Sequence, residues 1–477
     1  MKTLRALSLW LAAALIGLLI VAPVRAYETN VLVRDPSTVV KSGNTYWVYG
    51  TGTGAQQFSS TDRIHWTRRG PALPTAPAWL AAIVPGNKNN VVWAPDIHFF
   101  NGQWRLYYSY SQWGTSISAI GVATNPDINN PRGWTDQGMV VRSANGSGFN
   151  AIDPCIFQDA TGVPWLSYGS YGNGIHLIRI DPQTGKQAAD DPKVYDVAAR
   201  LSVPGNAIEA SAVTYHEGYY YLFVAWDGCC AGARSSYNIR MGRSRTVTGP
   251  YLDKDGKDMH DGGGTLFLGS VYDNGSGRLC DDEVGPGHFG ILHDRDGDWV
   301  SFHEEWARDN GGATTLNLLR LAWDGDGWAR PVLDPGPYKI VVNLATHDLA
   351  SVVKDSTADG SSLHTWPDAG GDAQKWTLHY QGDGYYSLIG VRSRKALTVA
   401  DSPARPGAKV TIAPFAERDG QFWYLRQNDN GTYTLLPKSG GRSVALDVGD
   451  CNPADGTPIG LWTANGLPCQ EWSFHVR

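Results

Sequence analysis

The feature that most restricts the fold is an aromatic strand that returns five times between Asn30 and Pro335, each copy bounded by turn residues. The copies are YWVYGT from Tyr46, RLYYSYS from Arg105, PWLSYGS from Pro164, YYLFVAW from Tyr220 and DWVSFHEEW from Asp298, spaced by 59, 59, 56 and 78 residues. Units of that size hold several short strands, and radial repetition of such units predicts a five-bladed β-propeller. A sandwich also supplies many short strands, so the repeat favours the propeller without excluding it. The long last interval contains Asp273-Asn274-Gly275-Ser276-Gly277, Cys280 and Gly285, which reads as an inserted loop. The 19 Trp, 22 Tyr and 56 Gly, with few runs that would sustain helices, agree with an all-β chain.

The same register places one polar residue ahead of each aromatic strand. Asp35, Asp153 and Glu209 precede theirs by 11 residues, His288 by 10 and Asp96 by 9. Equivalent strands lining a central channel would bring four carboxylates and one imidazole into one funnel. Their contexts, VRDPS, WAPDI, AIDPC, AIEAS and PGHFG, are apolar or turn-like, where a solvated surface charge is not expected. Taken singly, each acid has a plainer explanation as a turn cap, above all in Asp35-Pro36 and Asp153-Pro154. Taken in phase, they suit acid–base chemistry. Crowded carboxylates cannot all ionise, so one stays protonated while another stays charged, which is the division acetal hydrolysis needs.

The first 26 residues read as a signal peptide: Lys2 and Arg5, an apolar run from Leu7 to Val21, then Val24-Arg25-Ala26. An exported chain starting near Tyr27 is therefore expected, with no membrane span in the mature form. The remaining length calls for two domains, 27–335 and 336–477. Net charge is −6 and becomes −9 without Lys2, Arg5 and Arg25, which excludes polyanion partners such as nucleic acid. Nothing in the sequence calls for more than a monomer. Of six cysteines, Cys451 and Cys469 flank a Gly/Pro/Asn-rich stretch and are expected to pair in an oxidising compartment. The redox state of Cys155, Cys229, Cys230 and Cys280 is left open.

The stretch from Arg34 to about Val332 resembles glycoside hydrolase family 43, and within it the arabinan-degrading members. The resemblance is carried by RDPS at 34–37, VWAPDIHFFNGQWRLYYSYS at 92–111, AIDP at 151–154, NAIEAS at 206–211, CCAGARSSYNIRMGRS at 229–244, VTGPYLDKDG at 247–256 and GPGH at 285–288. It implies an inverting hydrolase with furanose substrates across the funnel, Asp35 as general base, Glu209 as general acid, and Asp153 orienting the acid and raising its pKa. It also implies a metal, usually calcium and held largely by water, beside His288; a hydrogen-bonded core histidine is the alternative. Trp93 resembles an aromatic sugar platform, Asp96 and Ser170 are candidate substrate contacts, and Phe58 or Trp113 could fringe the cleft. One departure stands out: such enzymes commonly carry His before the base, whereas this chain has Arg34, a permanent charge with a fixed donor fork. Arg34 therefore joins the expected substrate-binding set and makes exo action more credible.

Beyond Pro335 the period changes. Gln-x-Trp recurs at 374–376, 421–423 and 470–472, a threefold repeat expected to stack around buried tryptophans. The module resembles the ricin-B-type β-trefoil of carbohydrate-binding family 13. The resemblance implies one competent sugar site in the third repeat, built from Asp447, Trp462, Asn465 and Gln470, because Ser351 and Thr398 stand where Asp447 does. Three functions follow as expectations: endo-cleavage of α-1,5-linked plant cell-wall arabinan, exo-acting arabinofuranosidase or xylan-directed action, and carbohydrate binding by an inactive propeller.

Overall fold

The computed structural model describes residues 27–270, 283–306 and 313–475. The signal peptide, the Asp273–Gly277 stretch and Cys280 lie outside them. Five antiparallel sheets follow one another along the first part of the chain. Their second strands are Thr45–Gly50, Gln103–Ser111, Pro164–Tyr168, Tyr219–Trp226 and Gly297–Trp306, the five aromatic repeats. These strands carry aromatics without strict alternation because neighbouring blades cover both faces: from Arg105 to Ser111 every residue is buried. Blades four and five meet through Phe223, which stacks on Phe289 at 4.5 Å and meets Phe267 edge-on at 5.3 Å.

The circle closes with the first strand of the chain. Tyr27–Leu32 pairs with Thr314–Trp323, so the fifth sheet joins residues from both ends of the propeller. The first strand of each blade faces the channel, and the backbone breaks register there. Ladders shift between Trp93 and Asp96, between Glu209 and Ala212, and between Gly287 and Gly290. Asp35, Ala94, Asp153, Ala210 and His288 all take positive φ, between 40° and 56°. A bulge in blades two, four and five, and a positive-φ residue just before the first strand in blades one and three, re-aim the adjoining side chain, which is what the polar phase of the sequence reflects.

Strands from Tyr338–Val342 to Trp472–His475 form a twelve-stranded closed arrangement with the three repeats of a β-trefoil. Trp376, Trp423 and Trp472 are fully buried, and each indole N–H donates to the carbonyl 26 residues earlier, Ala350, Leu397 and Leu446, at 3.0–3.1 Å. Arg330 crosses to this part of the chain, donating to the Leu425 carbonyl at 2.7 Å, and Arg240 pairs with Asp429 at 2.9 Å. The disulfide Cys451–Cys469 spans 18 residues of the third repeat. Trp472→Ala should lower unfolding stability by about 3–5 kcal/mol, the cost of emptying a large core site, measured by denaturant titration; an unchanged midpoint would show that the indole is not a core member.

Candidate active site

A cavity of about 900 Å³ opens where the channel meets the surface, and Arg34, Asp35, Trp93, Asp153, Ser170, Glu209 and His288 all line it. Blades one, three, four and five thus deliver Asp35, Asp153, Glu209 and His288 to one place. Trp113, 75% exposed, also lines it and packs against Trp93 with centroids 5.7 Å apart, giving the cleft an aromatic shelf. Phe58 is absent from the cleft because it is buried among Tyr46, Trp66 and Leu316.

Asp96 departs from its expected substrate contact. It is 4% exposed and does not line the cavity; one oxygen accepts from Thr38 N–H and the other from Ile156 N–H, each at 2.9 Å. The side chain ties the start of blade one to blade three. Burial raises its pKa to about 6 against those two donors.

The three remaining carboxylates differ by their donors. Burial pushes Asp35 up, yet its neighbours overcome this and hold its pKa below the ordinary range. His303 and His288 stand beside it, the Thr51 hydroxyl donates to Oδ2 at 2.5 Å, and Arg34 contributes its charge. Thr51 is fixed in turn by Ala94 N–H at 2.8 Å. Glu209 is raised, first by burial and further by Asp35, against hydrogen bonds from Ser170 Oγ at 2.6 Å to Oε2 and from Tyr237 to Oε1. Asp153 is raised well above the usual range by burial, then by Glu209 and Asp35. Its Oδ2 accepts from Ala210 N–H at 3.2 Å, so it holds the backbone next to Glu209. The arrangement sets an acid with a lowered pKa on one wall and two acids with raised pKa opposite.

Two residues outside the polar phase tie these walls together. His303 is fully buried; its Nδ1 accepts the N–H of Asp35 at 3.1 Å, and burial lowers its pKa to about 4, leaving it neutral. Its ring stacks on Tyr237 at 6.1 Å, and the Tyr237 hydroxyl donates to Glu209. A chain Asp35–His303–Tyr237–Glu209 therefore links base to acid. Gly287 makes room for it, since a Cβ there would lie 1.9 Å from the Tyr237 ring. Sequence reasoning missed both residues: each sits away from the first strand of its blade, and only membership in the quoted string CCAGARSSYNIRMGRS marked Tyr237.

His288 is 7% exposed, and burial keeps its imidazole neutral despite Asp35 nearby, as a metal ligand must be. The described residues contain no cluster of three His, Cys, Asp or Glu at ligand spacing. The donor set fits an ion that keeps most of its water, and does not fit one caged by protein.

Residues 29–329 match the profile of Glycosyl hydrolases family 43. The chain belongs to that family. Residues 327–413 and 372–462 of this glycoside hydrolase match the ricin-type β-trefoil lectin domain-like profile. It is 40% identical over 304 residues to an extracellular endo-α-(1→5)-L-arabinanase of Bacillus subtilis, covering 63% of this chain and 88% of that one. It is 36% identical over 332 residues to an extracellular exo-α-(1→5)-L-arabinofuranosidase of Cellvibrio japonicus, covering 67% and 91%. Among solved structures, a family 43 endo-arabinanase from Bacillus licheniformis superposes with a TM-score of 0.57 at 41% identity, covering 64% of this chain and 100% of that chain.

In the trefoil, a second cavity of about 680 Å³ is lined by Asp447, half-exposed Trp462 and Asn465. Gln470 does not face it: fully buried, its Nε2 donates to Asp447 Oδ2 at 2.9 Å and its Oε1 accepts from Asn465 N–H. It orients the carboxylate from behind. Gln421 Nε2 donates to the Thr398 hydroxyl and the Pro414 carbonyl, and Gln374 Nε2 to the carbonyls of Trp366 and Pro367, so neither meets a carboxylate as Gln470 does.

Tyr237→Phe removes a donor that favours ionised Glu209, so the Glu209 pKa rises and the alkaline limb of the kcat/KM profile should move to higher pH. The acid limb, set by Asp35, should stay in place. An unmoved alkaline limb, recorded across a full pH–rate profile, would show that Glu209 does not govern it.

Proposed function

We propose that the protein is an exported inverting hydrolase of α-1,5-linked arabinan. The observation that carries this reading is that two carboxylates line one cavity in opposite environments: its neighbours hold the pKa of Asp35 below the ordinary value, and burial raises that of Glu209. Asp35 takes a proton from water as the water oxygen bonds to the anomeric carbon. Glu209 gives its proton to the departing glycosidic oxygen as that bond breaks, and the configuration inverts. Asp153 positions the acid through Ala210 N–H and discourages its ionisation. Trp93 and Trp113 offer ring faces to the furanose units, and Ser170 keeps Glu209 aimed. The relatives named extracellular support export, and the Cellvibrio cellulosa arabinanase solved with arabinohexaose, 34% identical with a TM-score of 0.58, supports the substrate.

Endo action is favoured by the 40% identity to the endo-arabinanase, while the exo-acting relative keeps a second reading in play. Arg34 bears on the choice, since it stands beside the base on the cleft wall. The trefoil cavity at Asp447 would hold polysaccharide near the funnel and raise its local concentration. Glu209→Gln should lower kcat on linear arabinan by about 100-fold or more, the scale of a lost general acid. Intermediate oligomers in the wild-type time course support endo action, monosaccharide alone supports exo action, and no cleavage of arabinan sinks the substrate.

His288 would hold a hydrated calcium ion, whose charge would favour the ionised form of Asp35. Chelation should then raise the pKa of the acid limb and slow turnover at mildly acid pH, with both reversed by added calcium. A profile indifferent to chelator would leave His288 as a neutral core histidine.

A further inference from the structure

Cys229 and Cys230 line the catalytic cavity together with Asp35 and Glu209, and the acid–base chemistry uses neither. Cys230 is exposed and Cys229 partly so, while Cys155 is buried. Adjacent cysteines in an open cleft are unusual for a simple packing role, and Arg34 and Glu305 hold this pair in place. The Arg34 guanidinium donates to Cys230 Sγ at 3.0 Å. Cys229 beside it lowers the pKa of Cys230, with Arg34 acting in the same direction. The loop is clamped by Glu305, fully buried, which accepts from Cys230 N–H, from Gly232 N–H at 2.8 Å and from Ser235 Oγ at 3.0 Å. Cys230 is fixed at a φ of 65°, in the left-handed region.

We propose that Cys229 and Cys230 form a thiol–disulfide site in the cleft wall, taking low-molecular-weight disulfides and closing to a vicinal disulfide whose state alters how the substrate is held. Thiolates are the attacking species, and Arg34 supplies the positive neighbour that favours one at Cys230. The Cys230 thiolate attacks one sulfur of the disulfide RSSR; the new bond joins Cys230 to RS, and the released RS⁻ takes up the proton Cys230 had lost. Cys229 then gives up its proton and attacks Cys230 Sγ, expelling the second RS⁻, which leaves as RSH. The pair loses two electrons and two protons, and one RSSR becomes two RSH. Oxidation replaces the acceptor of Arg34 by a neutral disulfide sulfur, so the charge beside the base is answered differently on the wall that faces the sugar. The site goes beyond the hydrolytic reading, and its first readouts need no substrate.

The test treats the whole protein with glutathione disulfide, then alkylates and maps it by mass. The expected result is that the peptide holding both cysteines loses the mass of two hydrogens and resists alkylation until reduced. Cys229→Ser should instead retain a stable glutathione adduct on Cys230, and Arg34→Gln should slow adduct formation. KM on linear arabinan should differ severalfold between oxidised and reduced wild type, with kcat changing less, and reductant should reverse it. Free thiols at both positions after treatment, or a bond from Cys230 to Cys280, would overturn the site; identical KM values in the two states would overturn its effect on substrate.

Discussion

Three carboxylates share one cavity, and everything else at the site follows from their inability to be charged together. In a desolvated funnel each additional negative charge is resisted both by burial and by the charges already there. The protein resolves this locally: the Thr51 hydroxyl donates to Asp35 and the charge of Arg34 stands beside it, whereas Asp153 accepts from one backbone N–H and is raised further by Glu209 and Asp35. Glu209 is the finely balanced member, raised by burial and pulled back by Ser170 and Tyr237. A residue with that balance can lose and regain a proton within a catalytic cycle.

The propeller makes such crowding tolerable because each acid is anchored in a different sheet. The breaks in the backbone at the blade mouths turn the side chains inward, and the cross-links behind them are made by buried residues. Asp96 joins blades one and three, His303 and Tyr237 connect base to acid, and Glu305 fastens the cysteine loop. Repulsion among the acids is thus borne by the blades rather than by mobile loops.

Much of this was legible in the sequence because propeller blades repeat and their middle strands are covered on both faces. The aromatic runs from Tyr46 to Asp298 gave the blade count, and the polar phase found Asp35, Asp153, Glu209 and His288. Phase identifies the blade that carries a residue, but says nothing of how deep in the channel its side chain lies, which is why Asp96 was expected at the substrate and stands among backbone amides instead. His303 lies on a second strand and Tyr237 just before a third, where polar residues follow no repeat. Gln470 was expected at the sugar from the resemblance to trefoil sugar sites, yet its amide turns toward Asp447 and it does not line the cavity. Arg34 was conspicuous as a charge, but its contact with Cys230 joins residues 196 positions apart and leaves no trace in spacing.

The strand Tyr27–Leu32 is the first of the described chain to leave the ribosome and among the last of the propeller to find its place. Its partner, around Leu318, is synthesised nearly 300 residues later, as the register Tyr27↔Leu318 requires. Until then the fifth sheet has an unpaired edge and the ring is an open arc. Loop closure over that distance adds a modest entropic cost but a long wait, and the exposed edge is the part of the molecule most open to wrong partners in the meantime. The clasp that closes the finished ring is therefore also its longest-range pairing, one that waits until the chain has passed Leu318.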